Sequence, residues 1–328
     1  MAELNILEAI RTAMDEEMER DERVMVLGED VGRKGGVFGA TDGLWAKYGD
    51  KRVLDTPLTE AMIAGAAAGA AIYGLRPIAE MQFADFAYPA FNQIVSEISR
   101  FHYRSNGTFS VPMVIRMPYG GGVHGALYHS QSNEAYFTST VGLKVVAPGT
   151  PADAKGLLKA AVRDPDPVMF FEHKKTYRLF RAEVPDGDGV VPIGKAEVAR
   201  PGKDLSIFCY GFMRHCALEA AEILAREDGL EAEVVDLRTL RPLDTATVLA
   251  SVEKTAKALV VHEANRFGGF GAEVAATIAE QGFEHLDGPV TRLAGPEVPG
   301  VPYHHDLEEW FMVGPARIVE AARKVAAY

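Results

Sequence analysis

The feature that most limits the fold is an alternation. Short runs rich in β-branched and aromatic residues are separated repeatedly by segments with amphipathic-helix spacing. Candidate strands lie at Val24–Leu27, Pro77–Phe83, Met113–Met117, Lys144–Ala147 and Val168–Glu172. Between them the spacing predicts helices over Leu4–Arg20, Glu60–Tyr73, Pro89–Tyr103 and Ala152–Val162. Such alternation implies an open, largely parallel sheet covered by helices on both faces. The rhythm breaks over Glu183–Gly202, where Pro185, a Gly-Asp repeat, Pro192 and Pro201 read as a connecting loop. It then restarts with strand Leu205–Tyr210, helix Arg214–Arg226, strand Ala232–Asp236, helix Asp244–Lys254, strand Ala258–His262 and helix Gly271–Gln281, and a helix over Pro315–Ala326 closes the chain. The expected class is α/β with two doubly wound domains, residues 1–184 and 203–328, joined by a linker over 185–202. A chain of 328 residues is long enough for two cores.

Bulk charge narrows the function classes. A formal net charge of -12 argues against general attraction to nucleic acid or an anionic membrane, and leaves a basic protein partner open. The two cysteines, Cys209 and Cys216, sit in apolar segments and match no zinc spacing. Met1–Arg23 mixes charges with apolar residues at helical spacing, unlike a signal peptide. The longest apolar run, Ala61–Tyr73, is too short to span a bilayer. A cytoplasmic protein is expected.

Familiar catalytic motifs are absent: no G-x-S-x-G elbow, no phosphate loop ending in Gly-Lys-Ser/Thr, no H-E-x-x-H. Phe267–Gly271 opens a helix after a strand but lacks the third glycine of a dinucleotide fingerprint, so close helix–strand packing is the expectation. His124 and His129 follow the glycine-rich Gly120–Gly122, in the kind of loop where open sheets bind ligands, although loop histidines are commonly just solvated. Glu60 opens the helix Glu60–Tyr73, where an acid suits the dipole and Thr59 can cap. Gly65 and Gly69 lie four apart on that helix among alanines, a small face suited to close approach by another helix.

Ordered segments along nearly the whole chain resemble the β subunits of thiamine-diphosphate-dependent 2-oxo acid dehydrogenases. They include Gly28-Glu-Asp-Val, Gly36-Val-Phe-Gly-Ala-Thr, Asp55-Thr-Pro-Leu-Thr-Glu60, Glu80-Met-Gln-Phe-Ala-Asp-Phe and His124-Gly-Ala-Leu-Tyr-His129-Ser-Gln-Ser. Gly142-Leu-Lys-Val-Val-Ala-Pro, Phe171-Glu-His-Lys, Asp236-Leu-Arg-Thr-Leu-Arg-Pro-Leu-Asp and His262-Glu-Ala-Asn continue the series. The resemblance implies an N-terminal pyrimidine-binding domain and a C-terminal transketolase-type domain. It implies that Glu60 shares a proton with the cofactor's pyrimidine ring nitrogen, which burial favours and a helix start opposes. It places the backbone of Leu58 at the exocyclic amino group, and Gln82 and Phe86 along the pyrimidine pocket; Phe86 stands where some relatives carry tyrosine. His129 matches the family's active-site histidine, which assists proton transfers and acyl transfer to lipoamide. A structural potassium site is implied at Asp164 and Asp166, although aspartates beside prolines also read as turn formers.

The other half of the cofactor site is missing. Gly187-Asp-Gly189 occurs in the expected linker, but no asparagine lies between Asn133 and Asn265 to complete a magnesium-diphosphate motif. The resemblance therefore implies an α subunit that holds magnesium and the diphosphate, an α2β2 assembly, and docking of the C-terminal domain to a dihydrolipoyl acyltransferase core. Tyr128-His-Ser-Gln-Ser and Phe171-Glu-His-Lys favour branched-chain 2-oxo acids, with pyruvate as the alternative. Two rival expectations are a transketolase-like half, which needs a basic phosphate cluster, and a non-catalytic scaffold docking to the acyltransferase core, in which Glu60 would be dispensable.

Overall fold

Local signals fix the first element. Asn5 accepts from the Glu8 amide while the Glu8 side chain accepts from the Asn5 amide, a capping box that opens helix Ile6–Arg20. The residues ahead of it, Ala2–Leu4, form a strand (β1), so the helix begins two residues later than its spacing predicts. The computed structural model describes residues 1–328. They divide into two units, Met1–Tyr119 with Tyr136–Ile193, and Gly120–Ala135 with Gly194–Tyr328.

The first unit is built on parallel strands: β2 (Val24–Gly28), β3 (Val53–Asp55), β4 (Arg76–Glu80), β5 (Val114–Tyr119), β6 (Lys144–Val146) and β7 (Val168–His173). Their lateral order is β6-β7-β5-β4-β2-β3, and every pairing is parallel. A last strand, β8 (Ala182–Val184), pairs antiparallel with β1. Val24, Val26, Ile78, Val114, Val168 and Phe170 pack on one core with Ile10, Met14, Leu157 and Leu158 from helices Ile6–Arg20 and Pro151–Arg163. Thr150 caps the second of these and Pro151 stands in its first turn, where a missing amide costs nothing.

One predicted helix changes register. Over Pro89–Tyr103 the chain forms a π-helical stretch at Gln93–Ile98 and a short turn at Phe101–Arg104. The Ser99 hydroxyl takes the Val95 carbonyl at 2.7 Å, and the Ser99 amide reaches back to Ile94 at 3.1 Å. A serine competing for the i−4 carbonyl lengthens the turn by one residue.

At the centre of this sheet lies a fully buried ion network. Arg116 of β5 grips Glu172 of β7 through Nε and Nη2, each at 2.7 Å, and Nη1 meets Glu80 of β4. Tyr177 donates to Glu172 at 2.6 Å. One guanidinium faces two carboxylates, so burial raises the Glu80 carboxyl above its ordinary range, and it lifts the Tyr177 phenol as well.

The second unit carries β9 (Glu197–Arg200), β10 (Leu205–Cys209), β11 (Ala232–Asp236), β12 (Thr239–Arg241), β13 (Ala258–Asn265) and β14 (Thr291–Gly295). Five of them form a sheet in the order β14-β13-β10-β11-β9, parallel except for the β11–β9 edge. Helices Met213–Asp228 and Pro315–Ala326 pack on one core with it. The expected linker 185–202 therefore contains a strand, β9, and the division falls after Ile193. The segment Gly120–Ala135, inside the expected first domain, belongs to the second unit. There, burial pushes the Glu134 carboxyl from 4.5 up to about 7, helped by the nearby Glu263, although the Tyr210 hydroxyl donates to it. No helix is long and apolar enough to cross a membrane.

Two measurements follow from these buried charges. Arg116→Met strands two carboxylates in the core and should cost about 3–5 kcal/mol in urea unfolding; a loss under about 1 kcal/mol would mean water reaches the site. The folded state holds the Glu134 proton more tightly than the unfolded chain, so its contribution is complete at low pH and is lost as pH rises through about 7. The melting temperature of Glu134→Gln should therefore gain on the parent between pH 5 and pH 8.

Candidate active site

The carboxyl edge of the first sheet gathers most of the residues singled out from sequence. Leu58 and Glu60 lie in the turn after β3, and Gln82 and Phe86 in the segment after β4. Because β3 and β4 flank β2, the two turns leave the same edge about 10 Å apart, two strand spacings. The turn after β2 lies between them, and there Glu29 is raised by burial, by Asp30 and by Glu60.

Glu60 is 8% exposed at the first turn of helix Glu60–Ile72, whereas Leu58 is 67% exposed beside it. Thr59 makes no side-chain cap to this helix. Thr56, four residues before Glu60, keeps a buried hydroxyl with no hydrogen-bond partner. Gln82 and Phe86 are half-buried, and Phe86 meets Phe83 edge-on at 5.4 Å. Phe83 meets Phe38 at 5.5 Å, and Phe38 meets Tyr177 at 5.3 Å. A continuous aromatic path thus joins Phe86 to the buried Arg116 network. The turn after β2 is held by Asp55, whose Oδ1 accepts from the Gly32 amide at 2.6 Å. A Cβ at Gly32 would come within 2.4 Å of the same carboxylate, so a larger residue there would push Asp55 aside.

A buried acid, a half-open aromatic wall and an orphaned hydroxyl fit an aminopyrimidine, which offers ring nitrogens, an amino group and a flat face. The chemistry for a diphosphate and its magnesium does not gather here. Asp188 of the Gly-Asp-Gly sequence is ion-paired to Arg163, with Lys159 at 3.5 Å.

Nor do the carboxylates of Asp164 and Asp166 fit a potassium ion. Lys144 Nζ holds both oxygens of Asp164, at 2.6 and 2.7 Å, and lies 3.4 Å from Asp166, which also meets His102 Nδ1 at 2.7 Å. An ammonium already occupies the carboxylate oxygens of Asp164.

His124 and His129 lie in the second unit, within Gly120–Ala135. His129 is half-buried; His124 is exposed, with Nδ1 2.7 Å from a Glu308 oxygen. Within Phe267–Gly271, Gly269 and Gly271 serve packing, whereas Gly268 takes a left-handed turn with φ of 67°. A Cβ on Gly271 would come within 2.3 Å of the His262 ring, whose burial holds it neutral with a pKa near 4.

Helix Glu60–Ile72 has a second face. Ile63, Ala64, Ala67, Ala68 and Ala71 are buried, while Met62, Gly65, Ala66, Gly69 and Tyr73 point outward, Tyr73 at 92% exposure. Both faces are apolar. A helix apolar all round is ordinarily buried all round.

Sequence reasoning passed over Glu29, Arg116, Glu263 and Glu308. The available signal was a charge inside an otherwise apolar parallel strand, as with Arg116 in Val114–Tyr119; such a charge requires a buried partner.

Comparison with known proteins agrees with this geometry. Residues 2–179 match the transketolase pyrimidine-binding domain, and residues 194–318 the transketolase C-terminal domain. The chain is 57% identical to the 2-oxoisovalerate dehydrogenase subunit beta of Bacillus subtilis, with 100% of both chains covered. It is 46% identical to the pyruvate dehydrogenase E1 component subunit beta of the same organism, again over 100% of each. Among solved structures, a split-gene transketolase described as an inactive beta4 tetramer superposes with a TM-score of 0.81 at 25% identity, covering 99% of both chains. Two domains in the matching order, and identity that runs from end to end, place this chain among the β subunits of the thiamine-diphosphate-dependent 2-oxo acid dehydrogenases.

Proposed function

We propose that this chain is the β half of a branched-chain 2-oxo acid dehydrogenase, which decarboxylates its substrate and passes the acyl group to a lipoyl acceptor only when assembled with an α subunit. The observation that carries the reading is Glu60, a carboxyl buried at the sheet edge where the Gln82–Phe86 turn also emerges. Bound thiamine diphosphate supplies a nucleophilic thiazolium carbon for attack on the 2-oxo acid. This chain's part is to hold the pyrimidine end. The Glu60 carboxyl shares a proton with the ring nitrogen, the Leu58 carbonyl accepts from the exocyclic amino group, and Gln82 and Phe86 line the ring. His129 moves protons during acyl transfer. The scaffold alternative has no use for a buried acid at the sheet edge from which the Gln82–Phe86 turn also emerges.

The α subunit holds the diphosphate and magnesium, because Asp188 is taken by Arg163. It also covers the outward face of helix Glu60–Ile72 in an α2β2 enzyme. Gly65 and Gly69 support this: a Cβ on Gly69 would meet nothing within 4 Å, so the cleared space is on the outside. The inactivity of the split-gene transketolase β4 tetramer is consistent with a β chain that needs its partner. The preference for branched-chain substrates rests on the higher identity to the 2-oxoisovalerate enzyme, 57% against 46%. The C-terminal unit docks to the acyltransferase core, and the complex works in the cytoplasm, where Cys209 and Cys216 stay as free thiols.

The reconstituted α/β enzyme should show a kcat/KM for 3-methyl-2-oxobutanoate at least roughly tenfold above that for pyruvate, the discrimination two methyl groups can give. In the same assay Glu60→Gln should lose roughly 10²–10⁴-fold in kcat; parental decarboxylation by Glu60→Gln would end the catalytic reading. Gly69→Leu should leave the melting temperature of the isolated chain unchanged or slightly raised, since leucine favours the helix. It should also abolish the heterotetramer in light scattering. A Gly69→Leu chain that assembles normally would move the α interface elsewhere.

A further inference from the structure

In an open α/β sheet, ligands sit at the carboxyl ends of the two neighbouring strands whose connections run in opposite directions. In the second unit those strands are β10 and β13: from β10 the chain goes to β11 on one side, then returns to β13 on the other. At this point Tyr210 follows β10, and Glu263 lies near the end of β13. The crevice does not stand open. The chain's own segment Gly120–Ala135, which carries His129, is hydrogen-bonded there to Glu263 and Tyr210.

The segment is held by buried acids. Glu263 Oε1 accepts from the Gly121 amide at 2.7 Å and from the Ser132 hydroxyl at 3.1 Å, fastening both limbs of the loop to β13. Glu308, in helix His305–Phe311, accepts from the Gly122 amide at 2.7 Å and from the His124 amide at 3.2 Å, and its other oxygen lies 2.7 Å from His124 Nδ1. Tyr210 donates to Glu134 at the end of the segment. All three carboxylates are buried, Glu134 at 1%, Glu263 at 4% and Glu308 at 2% exposure. A Cβ on Gly121 would come 2.9 Å from Met312 Sδ, so the backbone lies directly against helix His305–Phe311 and its end. Within the loop, His124 and Ala126 hold left-handed backbone, with φ of 58° and 57°. Such residues keep that conformation only where their surroundings impose it.

We propose that Glu263, Glu308 and Tyr210 are positioning residues for His129: the C-terminal domain uses its ligand crevice to grip the histidine loop, so that domain acts in catalysis without touching substrate. This rests on the role of His129 proposed above. A buried carboxylate accepting several backbone amides fixes a loop more firmly than apolar contact, because each bond is charge-assisted and directional.

The test uses the assembled α/β enzyme with thiamine diphosphate, and the variants Glu308→Ala, Glu308→Gln, Tyr210→Phe and His129→Ala. Hydrogen exchange followed by mass spectrometry on peptides covering 120–135 is read beside kcat and KM. Glu308→Ala should speed loop exchange at least roughly tenfold and lower kcat roughly ten- to hundredfold with KM little changed. Glu308→Gln, which keeps an acceptor oxygen, should recover most of both. Tyr210→Phe, which removes one hydroxyl without opening the core, should give a smaller change in the same direction. If His129→Ala loses activity while Glu308→Ala and Tyr210→Phe keep parental exchange and kcat, the positioning role is overturned and the reading of His129 stands. If His129→Ala turns over at the parental rate, both fall.

Discussion

Arg116 is the constraint on which the first unit depends. It stands in the middle of a six-strand parallel run, where both faces are covered, and no water is available to solvate a guanidinium. Glu80 and Glu172 must therefore approach it from the strands on either side, which fixes the register of β4, β5 and β7. Glu80 is the last residue of β4, so the same interaction determines where the following turn leaves the sheet. Gln82 and Phe86 are carried on that turn. Tyr177 ties Glu172 to the Phe38–Phe83–Phe86 path, so the aromatic wall and the ionic centre are one mechanical unit.

The two sheets use their carboxyl edges differently. In the first unit the edge carries Glu60, Glu29, Gln82 and Phe86, with groups left to meet a small flat ring. In the second, the segment Gly120–Ala135 is tied to the corresponding edge by two acids, Glu263 and Glu308, and by Tyr210. Glu308 already accepts two amides of its own chain, whereas the hydroxyl of Thr56, four residues before Glu60, has no partner. The apolar outward face of helix Glu60–Ile72 belongs to the same logic at larger scale, since a contiguous exposed apolar surface is the mark of an interaction site.

Much of this was legible in the sequence, and the exceptions are instructive. Parallel strands and long helices could be read from periodicity because burial on two faces demands continuous apolar runs, as at Val168–His173. The helix start at Glu60 could be read because it is locally encoded after Asp55-Thr-Pro, while the role expected of that residue came only from the family resemblance. The π-helical stretch at Gln93–Ile98 could not, because it depends on one hydroxyl at Ser99 choosing a carbonyl. The assignment of Gly120–Ala135 to the second unit was equally hidden: it rests on Glu263 and Glu308, more than 130 residues away in sequence. The lysine at 144 that meets Asp164 was just as remote from any local pattern, and the cation expected at those aspartates came from the family resemblance, not from their spacing.

The central claim is the proposal that Glu60 would share a proton with the pyrimidine ring nitrogen of bound thiamine diphosphate and thereby help the thiazolium carbon to lose its proton. The most direct measurement is the rate at which that proton exchanges with deuterium in the assembled enzyme, followed by quenching and NMR of the released cofactor. Parental enzyme should exchange at least roughly a hundredfold faster than Glu60→Gln. Equal rates in enzymes shown to bind the cofactor equally would contradict the account.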